Sequence, residues 1–270
     1  MFRVATNGDF ISLVSFTKTN GAQPRAVLTL GKDGNFYGTT ETGGSLDFGT
    51  VFKATPNGVL TLLASFGYTN GALPEAALTL GSDGSFYGTT YYGGTNGYGT
   101  VFKVTTNGSL TTLVSFNDTD GANPWAALVQ HSDGDFYGTT VYGGSNDYGT
   151  LFKVSTNGLL TSLAYFNDSN GAYPQAGLTL GSDGSLYGTT ISGGNGGSGV
   201  IFKLDLSMVV PIPLNFQQAG SQMVFSWINP AFRLQSAPSV TGDYTSIAGA
   251  TSPHTNPAIG TQQFFRLVYP

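Results

Sequence analysis

The chain has 270 residues with ten Lys and Arg against fifteen Asp and Glu, a net charge of −5. That balance argues against nucleic-acid backbones and anionic membranes as partners, because both attract basic patches. Cysteine is absent, which excludes a disulfide framework and a thiolate metal site, and no apolar window is long enough to span a bilayer. Only 9% of residues are charged, against roughly 25% in an ordinary globular chain. Aromatic residues at 13% supply ample material for a core. The opening stretch MFRVATNGDF lacks the basic segment, apolar core and small-residue cleavage site of a signal peptide.

Along the chain one pattern dominates. Tyr37-Gly38-Thr39-Thr40 returns at Tyr87, Tyr137 and Tyr187, with a step of 50 residues each time. Gly43-Gly44, Phe52-Lys53, Asn57-Gly58 and Pro24 recur with the same step, and Phe2-Arg3 is an earlier copy of Phe52-Lys53. Each repeat holds four short apolar runs. In the second these are 76–80, 85–90, 99–105 and 110–116. Their Val, Phe, Tyr, Thr and Leu content and their length predict strands. Asp83-Gly84 and Asn107-Gly108 supply the positive φ of tight hairpins, so the runs they join should pair antiparallel.

A four-stranded antiparallel meander repeated in tandem predicts a β-propeller blade. Runs apolar at successive positions, such as Val101-Phe102, fit strands buried on both faces. Gly88, inside the second strand, predicts a bulge or a close approach of backbone. The third-strand run occurs five times and every other run four times. This leaves five blade positions with incomplete ends, four blades closed by 10–16, or the tail of a longer array; we expect five. Entry in mid-repeat favours a truncated chain. After Lys203 the period stops. The predicted organisation is a propeller over 1–205, a Pro-containing linker over 206–213 and a small sandwich-like all-β module over 214–270.

The repeat NG-x-LT-x-L-x-SF…GA-x-P-x-A-x-L-x-LG-x-DG-x-FYGTT-x-x-GG…GTVFK resembles the GloVer tandem repeat of the choice-of-anchor family of bacterial surface proteins. The Gly-Gly pair after the second strand is also kelch-like. This resemblance implies export and placement outside the cell or on its surface, with no established activity. The tail FRLQSAPSVTGDYTSI…QFFRL resembles the terminal β-modules of large exported bacterial proteins.

A meander sorts its connections. The tight hairpins belong to one end, and the long connections, 17–25 and 41–49 with their copies, belong to the other. The long ones are also where the repeats differ most, so that end is the candidate binding surface. Trp125, Tyr91, Tyr92, Tyr98, Tyr142 and Tyr148 concentrate there beside Asn and Asp. Flat rings with polar edges suit stacking on sugars; they also suit packing beneath loops or between blades, the more common use of such rings. Asn117-Asp118-Thr119-Asp120-Gly121 has oxygen donors but lacks the full spacing and terminal Glu of a calcium loop, which leaves an Asx turn. The lysines at 53, 103, 153 and 203 are expected to snorkel along blade edges. His131, in a hairpin turn beside Asp133, reads as a surface histidine. No zinc, phosphate-loop, dinucleotide or Ser-His-Asp pattern is present. No catalytic residue, cofactor or metal is therefore assigned. The expected partner of this monomer is a glycan or a surface protein; the rival reading is a hydrolase or lyase acting on polysaccharide through two acids near the axis, and a third is a passive spacer.

Overall fold

The computed structural model describes residues 2–206, 214–219, 222–227, 233–239, 244–257 and 263–268. All regular elements among them are strands, and the chain divides into two compact units, Met1–Leu206 and Ser207–Pro270.

In the first unit the fifty-residue period becomes a series of sheets. The first holds β1 (Phe2–Val4) and β2 (Phe10–Ser12). The second is β3 (Thr29–Leu30), β4 (Phe36–Thr40), β5 (Thr50–Ala54) and β6 (Leu60–Ser65), in that order and antiparallel throughout. The third, β7 (Thr79–Leu80), β8 (Phe86–Thr90), β9 (Thr100–Val104) and β10 (Leu110–Ser115), has the same order. So does the fourth, β11 (Val129–Gln130), β12 (Phe136–Thr140), β13 (Thr150–Val154) and β14 (Leu160–Tyr165). The fifth stops at three, β15 (Thr179–Leu180), β16 (Leu186–Thr189) and β17 (Ile201–Leu204). These are blades of a β-propeller in five positions with incomplete ends. Among the described residues no backbone ladder joins β2 to β17, so the closure by 10–16 is not made.

Each piece of core is shared by two blades. Tyr37, Val51 and Phe66 of the second blade meet Leu78, Phe86 and Phe102 of the third. Tyr87, Val101 and Phe116 of the third meet Leu128, Phe136 and Phe152 of the fourth. Val101 and Phe102 are both fully buried although they point to opposite sides of one strand, as sandwiching requires. The predicted first strand over 76–80 is shorter than expected because its early carbonyls serve the neighbouring blade. Ala76 O accepts from the Thr39 hydroxyl at 3.0 Å and Leu78 O from the Thr29 hydroxyl at 2.6 Å. The register bulge falls in the fourth strand, between Thr112 and Val114, and not at Gly88. Gly88 instead makes room for a ring: a Cβ there would lie 2.5 Å from Phe102 Cζ.

The second unit is a small sandwich of two three-stranded sheets. One is β18 (Asn215–Ala219), β19 (Gln222–Ser226) and β22 (His254–Pro257). The other is β21 (Thr245–Ser246), β20 (Arg233–Ala237) and β23 (Phe264–Val268). Their shared core holds Phe225, Trp227 and Leu234, with the Phe225 and Phe265 rings 4.4 Å apart. β22 runs through a Pro- and Asn-containing stretch, where Met223 pairs with Asn256. Residues 207–213 of the expected linker lie outside the described residues.

Candidate functional site

Antiparallel pairing places 31–35 and 55–59 at one end of the second blade, and 41–49 and the chain leading to β7 at the other. The long connections are knitted together there. Ala72 and Tyr92 exchange backbone hydrogen bonds of 2.8 and 3.0 Å, and Tyr91 N–H donates to Leu73 O at 3.0 Å. Leu73 N–H in turn donates to Phe48 O in the preceding repeat, and Asn123 N–H to Tyr98 O. This mesh holds residues 23, 73, 123 and 173 at φ of 55–58°, although none is glycine. Gly93 is required: a Cβ there would sit 2.2 Å from Tyr68 O. Rigid backbone thus presents the side chains that differ between repeats.

The candidate aromatics fall into two groups. Tyr91 meets the rings of Tyr92 and Trp125 edge-on, at 4.5 and 5.1 Å between centroids. Tyr142 and Tyr148 each lie 5.5 Å from Tyr173. Trp125, Tyr92, Tyr98 and Tyr142 keep 38–45% of their surface exposed, whereas Tyr91 and Tyr148 are partly covered by their neighbours. Burial, followed by the nearby hydroxyls of Tyr92 and Tyr142, pushes the Tyr91 phenol up to about 12. Tyr98 takes part through its backbone and makes no ring contact with the others. Sequence reasoning missed Tyr173 and Tyr68, the latter packed on Phe48 at 5.5 Å. Both sit in columns that vary from repeat to repeat, the signal that could have found them.

Sequence reasoning also missed a charged cluster beside the first group. Arg25 Nε lies 2.5 Å from Glu41 Oε2, and its Nη1 reaches Glu75 Oε2 at 3.8 Å. Both carboxylates are mostly buried while the guanidinium is half exposed. Burial pushes the Glu75 carboxyl up, the Glu41 charge adds to this, and Arg25 opposes it.

At the hairpin end the polar groups are spent on structure. Tyr37, Tyr87, Tyr137 and Tyr187 hydroxyls donate to Asp33, Asp83, Asp133 and Asp183 at 2.7–3.0 Å. The lysine column does not simply snorkel: Lys103 pairs with Asp83 at 2.8 Å, Lys203 with Asp183 at 3.1 Å and Lys153 with Asp135 at 3.1 Å. His131 is no surface histidine. Its side chain is only 7% exposed, its ring packs on Tyr137, and Nδ1 lies 3.4 Å from Asp133 Oδ1. In the 117–121 loop, Asn117 N–H donates to Asp120 Oδ1 and Asp120 N–H to Asn117 Oδ1, so both side chains cap their own turn.

Among the described residues no group of three or more His, Cys, Asp or Glu could hold a metal ion, and no helix is long and apolar enough to cross a membrane.

Solved structures similar to this chain include virginiamycin B lyase from Staphylococcus aureus, 17% identical over 86% of this chain and 70% of that one, with a TM-score of 0.46. A gluconolactonase from Xanthomonas campestris is 14% identical over 78% of this chain and 72% of its own, with a TM-score of 0.45. No curated protein matches the sequence. Residues 76–229, more than half of the chain, match the Gloeobacter/Verrucomicrobia repeat, and the chain belongs to that family.

Proposed function

We propose that this is a non-enzymatic binding module, exported and displayed at the cell surface, whose long-connection end engages extracellular carbohydrate. The observation that carries this reading is the set of part-exposed rings, Trp125, Tyr92 and Tyr142, on adjacent repeats, held by a rigid backbone mesh. Flat faces held in place lose little conformational entropy when a sugar ring stacks on them, and the amide and hydroxyl groups beside them can bond its hydroxyls.

The experiment is an array of immobilised microbial and plant polysaccharides probed with the whole chain, its Trp125→Ala and Tyr142→Ala variants in parallel. The reading expects at least one polysaccharide to be retained, with each variant weakening binding about tenfold while unfolding at nearly the wild-type temperature. A blank array, or variants that lose their fold, would overturn it.

A hydrolytic reading has one observation in its favour, the two acids Glu41 and Glu75 against one guanidinium. Release of reducing ends from a retained polysaccharide would establish it. Retention without release supports the binding module.

A further inference from the structure

The repeat places position 41 of each unit between position 25 of its own unit and position 25 of the next. Glu41 shows this through Arg25, which reaches both Glu41 and Glu75. Tyr91 is the next copy of position 41: its ring lies 5.1 Å from Trp125, and its N–H is bonded to Leu73, two residues before Glu75. Arg25, Glu41, Glu75, Tyr91 and Trp125 are therefore consecutive neighbours along the long-connection end.

Their charges do not balance. One guanidinium faces two carboxylates whose side chains are only 12% and 11% exposed. Arg25 lies 2.5 Å from Glu41 and 3.8 Å from Glu75, so Glu75 is the less compensated of the two carboxylates. Beside it rise two aromatic rings, whose faces are also negative. A neutral sugar leaves that charge unanswered; a cation answers the carboxylate and the rings together.

We propose that Glu75, Tyr91 and Trp125 form a subsite for a protonated amine carried on the glycan, a 2-amino-2-deoxy sugar unit, and that this subsite selects free-amine saccharides over their N-acetylated counterparts. The proposal rests on the carbohydrate-binding reading and names the sugar class for it.

Its test is calorimetric titration of the whole chain with chitosan hexasaccharide and with the fully N-acetylated hexasaccharide, both in mildly acidic buffer where the amine is charged. We expect the free-amine sugar to bind about tenfold tighter. Glu75→Gln should remove that preference. Trp125→Ala should weaken both sugars together. Equal binding by the wild type overturns the subsite, as does a preference that survives Glu75→Gln. If neither hexasaccharide binds while a neutral polysaccharide is retained on the array, the amine subsite fails and the carbohydrate reading stands. If Trp125→Ala weakens neither sugar, the carbohydrate reading itself fails.

Discussion

The ring of Tyr87 lies on the ring of Phe136, centroids 4.0 Å apart and planes 26° from parallel, and Tyr37 meets Phe86 with the same numbers. The contact bridges two blades. Each tyrosine also anchors its hydroxyl on the aspartate of its own hairpin, so one side chain fastens turn, blade and neighbour. Phe136→Ala empties a fully buried site at this junction and should cost about 3–5 kcal/mol in urea denaturation. Phe136→Leu, which keeps most of the volume, should cost well under half of that.

Asp83 predicts an acid limb of stability. Burial pushes its carboxyl up, but Lys103, the Ser85 N–H and the Tyr87 hydroxyl outweigh this and hold the pKa at about 2. A carboxyl depressed on folding stabilises the native state above its unfolded value, near 3.9, and loses that contribution as pH falls toward the folded value. The stability gap between wild type and Asp83→Asn should therefore be full at neutral pH and close between about pH 4 and pH 2. Thermal melts across that window measure it, and a gap independent of pH would contradict the assignment.

Gly88 tests the fit of one strand against the next. Its φ is not in the left-handed region, so a Gly88→Ala change is opposed by side chains alone, chiefly the Phe102 ring, with Leu78 Cδ2 at 3.1 Å. Overpacking there should cost about 1–3 kcal/mol. Trimming the ring in the Gly88→Ala, Phe102→Leu double variant should give a smaller loss than the two single losses added together, since the residues touch.

Arg25→Gln leaves Glu41 and Glu75 as like charges without their shared cation. The folded variant then holds protons more tightly than its unfolded chain, so its stability should fall as pH rises through the carboxylate range and recover on acidification. Wild type, with Arg25 in place, should show a shallower slope over the same range. Parallel melts of the two proteins decide the matter.

The fold was legible because the features that specify it recur. Asp83-Gly84 and Asn107-Gly108 mark the hairpins, and Tyr87, Phe102 and their copies mark the interfaces; a column repeated fifty residues apart has the same packing task each time. Blade count was harder, since strand pairing at the ends depends on partners distant in sequence. At the candidate site the same logic works in reverse. Trp125, Tyr92 and Tyr142 stood out by chemistry, but Tyr173 needed a neighbour, Tyr148, that sits in a different connection. Arg25, Glu41 and Glu75 were invisible as a cluster because no two are close in the chain. Only the pairing of Glu41 with Gln23, and of Tyr91 with Leu73, brings those columns side by side.

Because every patch of core is drawn half from one repeat and half from the next, a splice that removes or adds fifty residues rejoins like with like. Tyr37 could face Phe136 as well as Phe86, in the same register and with the same hairpin beneath it. The molecule's length is therefore quantised, and ancestral copying in whole units could lengthen it without redesigning a single junction, leaving only the unmatched side chains of the long connections to be rewritten.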